Sequence, residues 1–187
     1  MALSKIDVAN MLSATLPVAN GGTGLTSGTS GQFLKFTGST TVASSALSGV
    51  GKIGQVVQAV KTSGQTISSG SYVAVTSLTA NITCSATSSK VLVMISMPSM
   101  TISGGDNEGG NYSLYRNGSA EYKFGGNHGY ASDGSAHVMS CEFTRIHEPS
   151  STSQQTYAVY AEKNGNSNID VPANSTQATI TLMEILA

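Results

Sequence analysis

Charged residues are scarce in this chain of 187 residues. Lysine, arginine, aspartate and glutamate together make up 10% of it, against about 25% in ordinary soluble domains. Nine basic and ten acidic residues leave a net charge of −1, and no lysine or arginine cluster is present. Nucleic acid and anionic membrane surfaces are therefore unfavourable partners, because both are bound through concentrated positive charge. Solubility must depend on hydroxyl and amide side chains, a composition typical of extracellular and virion β proteins.

Long hydrophobic runs are also missing. No stretch approaches the roughly 18 apolar residues of a membrane span, so membrane insertion is not expected. Lys5 and Asp7 interrupt the apolar residues near the start, which argues against a signal peptide. We expect the chain to be made in a cytoplasm and either to stay there or to leave inside a larger particle.

Cysteine and histidine are too few and too far apart to indicate a metal or redox site. Cys84 and Cys141 lie in strand-like apolar segments, where buried small side chains are favoured over a disulfide. His128, His137 and His147 have spacings that support no metal site within one chain. We predict no cofactor and no bound metal.

Motifs for catalysis are absent. The glycine-rich residues 20–24 lack the lysine and the following helix of a phosphate loop. No nucleophile elbow or HExxH motif occurs, and nothing around Glu142 and Glu148 supports a glycosidase pair beyond their presence. We therefore predict that the protein is not an enzyme.

What the chain does contain, from Gly54 onward, is short apolar segments separated by turns. Valine, isoleucine, threonine and tyrosine dominate these segments, as is typical of β-strands. Asn117-Gly118 is the strongest hairpin signal and predicts that residues 112–116 fold back onto 120–124. The predicted strands are 55–60, 71–76, 78–84, 90–102, 111–116, 119–124, 136–146, 155–162 and 177–186. This spacing predicts an all-β fold, an antiparallel sandwich or barrel.

Two of these strands are apolar on both faces. Leu92 and Met94 alternate with the apolar residues Val91, Val93, Ile95 and Met97, and residues 178–186 behave similarly around Leu182. An antiparallel sheet ordinarily has one wet face, so the second dry face predicts contact with another subunit. We predict a homotrimer with Leu92, Met94 and Leu182 at the interface.

Composition changes near residue 50. Residues 1–50 are rich in glycine, serine and threonine and cannot build a core alone. We interpret them as an extended, mostly irregular arm and residues 51–187 as the head domain. Within the arm, Pro17 restricts the backbone, while Gly21, Gly22 and Gly24 permit close approach of neighbouring chains. We predict that these four residues serve virion attachment or a trimeric shaft.

The chain resembles tail fibre and other fibrous virion proteins of tailed bacteriophages. The resemblance lies in "PVANGGTG" (17–24) with the strand-like 31–36, and in "SSKVLVMISM", "YSLYRNGS", "YAVYAEKNG" and "ATITLMEIL". It implies a homotrimer with a jelly-roll-like head and a role in virion structure or host attachment. The family's longer docking domain before the GGTG segment has no counterpart here, where about 15 residues precede it.

Three functions follow as hypotheses. The first is a trimeric tail fibre or spike that binds a host surface glycan or protein. The second is a capsid-decorating or head-fibre protein docked on the shell by its arm, and the third, less favoured, is a glycan-cleaving tail enzyme. All three place the protein in the virion.

Two polar, glycine-rich segments are the predicted receptor contacts, residues 104–110 and 125–135, because loops held by a rigid sheet often carry recognition. The side chains proposed to bind are Asp106, Asn107, Glu108, Asn127, His128, Tyr130 and Asp133.

Overall fold

The computed structural model describes residues 23, 25, 28–39, 41–45, 52–103, 108–131, 134–173 and 176–186. All the helices and strands assigned in these residues are β-strands; none is a helix. No helix in these ranges is long and apolar enough to cross a membrane. The chain divides into two compact units, residues 1–50 and 51–187.

In the described residues of the first unit, the chain forms one hairpin. Strands β1 (Phe33–Phe36) and β2 (Val42–Ser45) pair antiparallel, with Phe33 opposite Ser45 and Phe36 opposite Val42. Phe33, Leu34 and Phe36 are more than half exposed. A two-stranded hairpin is at best marginally stable by itself in water.

The part of the second unit that the structure describes contains ten strands. They are β3 (Lys52–Lys61), β4 (Gln65–Ile67), β5 (Val73–Ile82), β6 (Lys90–Ile102), β7 (Glu108–Arg116), β8 (Ser119–Ala131), β9 (His137–His147), β10 (Gln155–Asn164), β11 (Ile169–Val171) and β12 (Ala178–Leu186). The predicted strands 71–76 and 78–84 form the single strand β5, which contains the positive φ of 65° at Ser77.

Two antiparallel sheets make a sandwich. The first has the order β3-β12-β6-β9, and β11 and β4 continue it beside the last residues of β6. The second has the order β5-β10-β7-β8. Chain neighbours such as β5 and β6, or β9 and β10, lie in different sheets, which is the connectivity of an eight-stranded jelly roll. The predicted all-β, jelly-roll-like sandwich is confirmed.

The core lies between the two sheets. Alternate residues of β6 and β12 point inward and are fully buried, among them Val91, Val93 and Ile180. Across the gap, Leu114 and Val159 of the second sheet are equally buried. Each such side chain stabilises the fold by about 1.5–3 kcal/mol through its removal from water. Because alternation places these side chains on one face of each sheet, the two apolar faces pack together as a sandwich.

The predicted hairpin turn is confirmed. Asn117 and Gly118 have φ angles of 50° and 82°, the positive values that a type I′ turn requires. Arg116 pairs with Ser119 directly across it. In contrast, β8 extends to Ala131, so residues 125–131, predicted as a loop, are strand.

Candidate interaction surfaces

The jelly-roll topology brings the two predicted receptor segments to one end of the sandwich. The start of β7 and the end of β8 lie together there, since Glu108 pairs with Ala131. Asp106, Asn107 and Asp133 fall outside the described residues. The structure thus brings together segments that are about 20 residues apart in sequence, and their contact with a receptor stays a prediction.

Glu108 does not match the prediction of an exposed contact. Its side chain is 2% exposed, and one carboxylate oxygen accepts a hydrogen bond from the Ser167 backbone N–H at 2.6 Å. A carboxylate is rarely buried without such a partner. The hydrogen bond therefore ties the start of β7 to the β10–β11 connection. Because Glu108 is buried, it has no surface left for a ligand.

Asn127 and His128 are also engaged within the chain. The Asn127 N–H donates to Asn111 Oδ1 at 2.6 Å, and Asn164 Nδ2 donates to Asn127 Oδ1 at 2.7 Å. His128 Nε2 lies 2.7 Å from the Ser140 carbonyl oxygen. These contacts hold the last part of β8 in place, while Tyr130, beyond them, is 52% exposed. Of the described residues predicted to bind a receptor, Tyr130 presents the most surface.

A polar groove, which the sequence reasoning missed, lies in the same unit beside β4 and β11. Its volume is about 690 Å³, and Thr66 Oγ1 donates to Asp170 Oδ1 at 2.6 Å within it. Hydroxyl groups and this single carboxylate can bind polar ligands. No sequence signal indicated the groove, because its residues come from three separate segments. Its lining is Thr62, Ser63, Gly64, Thr66, Thr101, Asp170, Pro172 and Ala173.

An apolar band crosses the outer face of the first sheet. Four residues stand side by side in the register of β3, β12, β6 and β9: Val56 opposite Met183, Met183 opposite Leu92, and Leu92 opposite Ile146. Val56 and Ile146 are 55% and 53% exposed. We call these four residues the outer band. Ile53, Ile185 and Met94 flank it.

Polar pairs border the outer band. Gln58 Nε2 donates to Thr181 Oγ1 at 2.9 Å, and Ser96 Oγ donates to Glu142 Oε1 at 3.0 Å. Protein interfaces characteristically have an apolar centre and a polar rim. The outer face of this sheet has that arrangement, whereas an ordinary solvated sheet face does not.

Leu92 and Met94 face outward as the interface prediction requires, but Leu182 does not. Leu182 has no exposed surface, because it pairs with the inward residues Val57 and Val93. Placing Leu182 at a subunit interface was wrong. Met183 is the β12 residue that reaches the outer face.

The arm residues Pro17, Gly21, Gly22 and Gly24 lie outside the described residues. Their role in virion attachment or a shaft therefore stays a prediction. In the described part of the first unit, the exposed apolar side chains of β1 are the feature that fits a docking role.

Both cysteines are buried, as favoured from the sequence, and both are free thiols. Burial raises the pKa of the Cys141 thiol to about 11 and also raises the pKa of Cys84, so neither is an activated nucleophile. Among the residues that the structure describes, no group of three or more histidine, cysteine or acidic side chains could hold a metal ion.

One buried polar cluster connects the two sheets at the opposite end of the sandwich. His147 Nδ1 lies 2.8 Å from the Tyr157 hydroxyl, and Arg116 Nε donates to Glu121 Oε1 at 2.7 Å. Burial is the main cause that lowers the pKa of His147. The contact between His147 and Tyr157 joins the two sheets, so we expect the cluster to contribute to stability.

No family model matches this chain, and no curated protein does. Among solved structures, the fold is similar to one of infectious bursal disease virus, Gx strain, with 11% identity over 98% of this chain and a TM-score of 0.40. A VP2 subviral particle of the same virus has 11% identity over 81% of this chain and a TM-score of 0.38. The chain spans 47% and 43% of those two chains. Function is therefore argued from the surfaces themselves.

Proposed function

We propose that this chain is a structural protein of a virion, a trimeric tail fibre or spike that takes part in host attachment. The outer band carries the proposal. Four apolar residues in register across four strands are unfavourable in water and favourable between subunits. The chain acts by assembly and binding, without catalysis.

The partner at the outer band is another copy of the chain. The scarcity of charge supports this assignment, because few like charges oppose the approach of identical faces. The resemblance of residues 17–24 and 31–36 to bacteriophage fibre segments favours three copies over two. The other virion proteins contact the arm, residues 1–50, where Phe33, Leu34 and Phe36 offer an apolar surface.

The test of assembly is the mass of the purified protein by light scattering at micromolar concentration. We expect three times the chain mass of 19.1 kDa. Leu92→Asp should yield folded monomer, because an aspartate at the centre of the face would be buried unpaired on assembly. Thr79→Asp, an exposed position on the second sheet, is the control and should remain trimeric. A monomeric wild-type protein would contradict the proposal.

The second candidate, a capsid-decorating or head-fibre protein, is favoured by the exposed apolar hairpin of the first unit, which suits clamping to a shell. Gold-labelled antibody against residues 51–187 on intact particles separates the two candidates. Label at the tail tip supports the fibre, label over the shell supports decoration, and absence of label from purified particles would overturn both.

A further inference from the structure

Three tyrosines come together on the outer face of the second sheet. The rings of Tyr115 and Tyr160 are stacked, with centroids 3.8 Å apart and planes inclined by 18°. Tyr72 lies beside Tyr115, with a centroid distance of 6.1 Å and an inclination of 57°. We call these three residues the tyrosine surface. They come from β7, from β10 and from the residue preceding β5.

Strand alternation shows that the tyrosine surface faces away from the core. In β10, the neighbours Val159 and Ala161 are fully buried in the core, so Tyr160 points the opposite way. In β7, Leu114 is buried in the core, so Tyr115 points outward as well. Both tyrosines are partly buried and keep a smaller accessible surface.

Small residues surround the stacked pair. Ala158 lies opposite Tyr115, and Ser113 lies opposite Tyr160. These two outward-facing residues are 9% and 3% exposed, so neighbouring side chains cover them. Ala74, paired with Tyr160 on the other side, is equally short. Ala158 and Ser113 are thus covered, whereas the small, exposed Ala74 leaves room for a ligand beside Tyr160 on the β5 side.

A fixed set of polar groups borders the tyrosine surface. Asn111 Nδ2 donates to Glu162 Oε1 at 2.9 Å, and Glu162 directly follows the Tyr160–Ala161 pair on β10. Asn111 Oδ1 in turn accepts the Asn127 N–H, and Asn127 Oδ1 accepts from Asn164. Side chains held by such a chain of bonds present their remaining acceptor positions in a defined geometry.

We propose that this face binds a neutral sugar ring, which stacks its apolar C–H face on the tyrosine surface and donates hydroxyl hydrogens to Glu162. A pyranose has an apolar face of C–H groups and a rim of hydroxyl groups. The flat tyrosine rings match the apolar face, and the fixed amide and carboxylate oxygens match the hydroxyl groups. The Glu162 carboxylate disfavours anionic sugars through charge repulsion. This site differs from the predicted contacts at Tyr130. It deepens the attachment role and rests on that proposed function for its biological setting.

Saturation-transfer NMR on the purified full chain at pH 7 tests the proposal. The probes are the methyl glycosides of glucose, galactose, mannose and N-acetylglucosamine, with sialic acid as the anionic comparison. We expect saturation of the ring C–H protons of at least one neutral glycoside and none of sialic acid. Tyr115→Leu and Tyr160→Leu, which keep apolar bulk but remove the ring, should each weaken binding about tenfold.

Tyr130→Leu is the matched control, because it removes a more exposed tyrosine from another part of the sheet and should leave binding unchanged. Glu162→Gln keeps the size of the side chain and should weaken binding even if a tyrosine variant fails to fold. The proposal is overturned if no neutral glycoside is saturated, if sialic acid binds best, or if Tyr130→Leu abolishes binding while Tyr115→Leu does not. Particle labelling and the trimer mass test the proposed virion role independently of sugar binding. A protein that binds no sugar would therefore not contradict the virion role.

Discussion

The ring nitrogen Nδ1 of His147 lies 2.8 Å from the hydroxyl oxygen of Tyr157, and both side chains are buried between the sheets. His147 comes from β9 in the first sheet and Tyr157 from β10 in the second, so the bond connects the two layers. Nε2 of the same ring is 3.6 Å from Glu121 Oε2.

This relationship predicts that stability falls with acidity. Burial, assisted by Arg116 and Arg145, lowers the pKa of His147 below its ordinary value of 6.5, and Glu121 opposes the shift. The unfolded chain therefore binds a proton at a higher pH than the folded chain does. Stability is full above about pH 6.5 and decreases as the pH falls from there towards the folded pKa.

Urea unfolding at pH 7.5, 6.5 and 5.5 measures this effect. We expect the free energy of unfolding to decrease across the series in the wild type and to change less in His147→Gln. Tyr157→Phe removes the hydrogen bond but keeps the titrating ring, so it should retain the pH dependence. An identical slope in wild type and His147→Gln would contradict the assignment.

Leu92 and Leu182 should respond differently to the same change. Leu182→Ala opens a cavity in the core and should cost about 2–5 kcal/mol of stability, which lowers the melting temperature. Leu92→Ala should leave the fold of the single chain nearly unaffected and weaken assembly. Circular-dichroism melting and light scattering on both variants provide the measurements. Equal destabilisation by both would show that Leu92 packs inside one chain.

Glu108→Ala should destabilise the fold by about 1–3 kcal/mol, because the Ser167 N–H loses its acceptor, the buried carboxylate of Glu108. Glu148→Ala is the control. Its carboxylate is 66% exposed and pairs with Lys90 at the surface, so its removal should leave the unfolding midpoint nearly unchanged. A Glu108→Ala protein with the wild-type midpoint would return Glu108 to the receptor candidates.

Tyr130→Ala should change stability by less than about 0.5 kcal/mol, since the side chain is largely at the surface. The variant should weaken adsorption of the virus to its host if this end of β8 contacts the host receptor. Asp106→Ala is the companion variant from the first predicted segment. Adsorption at the wild-type rate in both variants would favour the capsid-decorating candidate.

A chain that begins at Gly51 should fold, assemble and fail to enter the virion. The second unit has its own sandwich core, while the arm is the proposed contact to other virion proteins. Incorporation is measured by immunoblotting of purified particles produced with the shortened chain. Incorporation at the wild-type level would refute the attachment role of residues 1–50.

The sequence by itself determined the strands and one turn. Alternation of apolar residues locates β3, β5, β6, β9, β10 and β12 to within a few residues, because strand geometry sends neighbouring side chains to opposite faces. Asn117-Gly118 determined its hairpin, since few residue pairs tolerate two successive positive φ angles. The doubly apolar pattern around Leu92 and Met94 likewise indicated an apolar outer face.

The tertiary structure alone decided which face of β12 is inside. Both faces of that strand are apolar, so composition cannot choose between Leu182 and Met183. The choice depends on register, which sets Leu182 beside Val93 and Met183 beside Leu92. The same holds for Glu108, which is polar in sequence but buried by its bond to Ser167. Tyr115 and Tyr160 are 45 residues apart, and only the pairing of β7 with β10 stacks their rings.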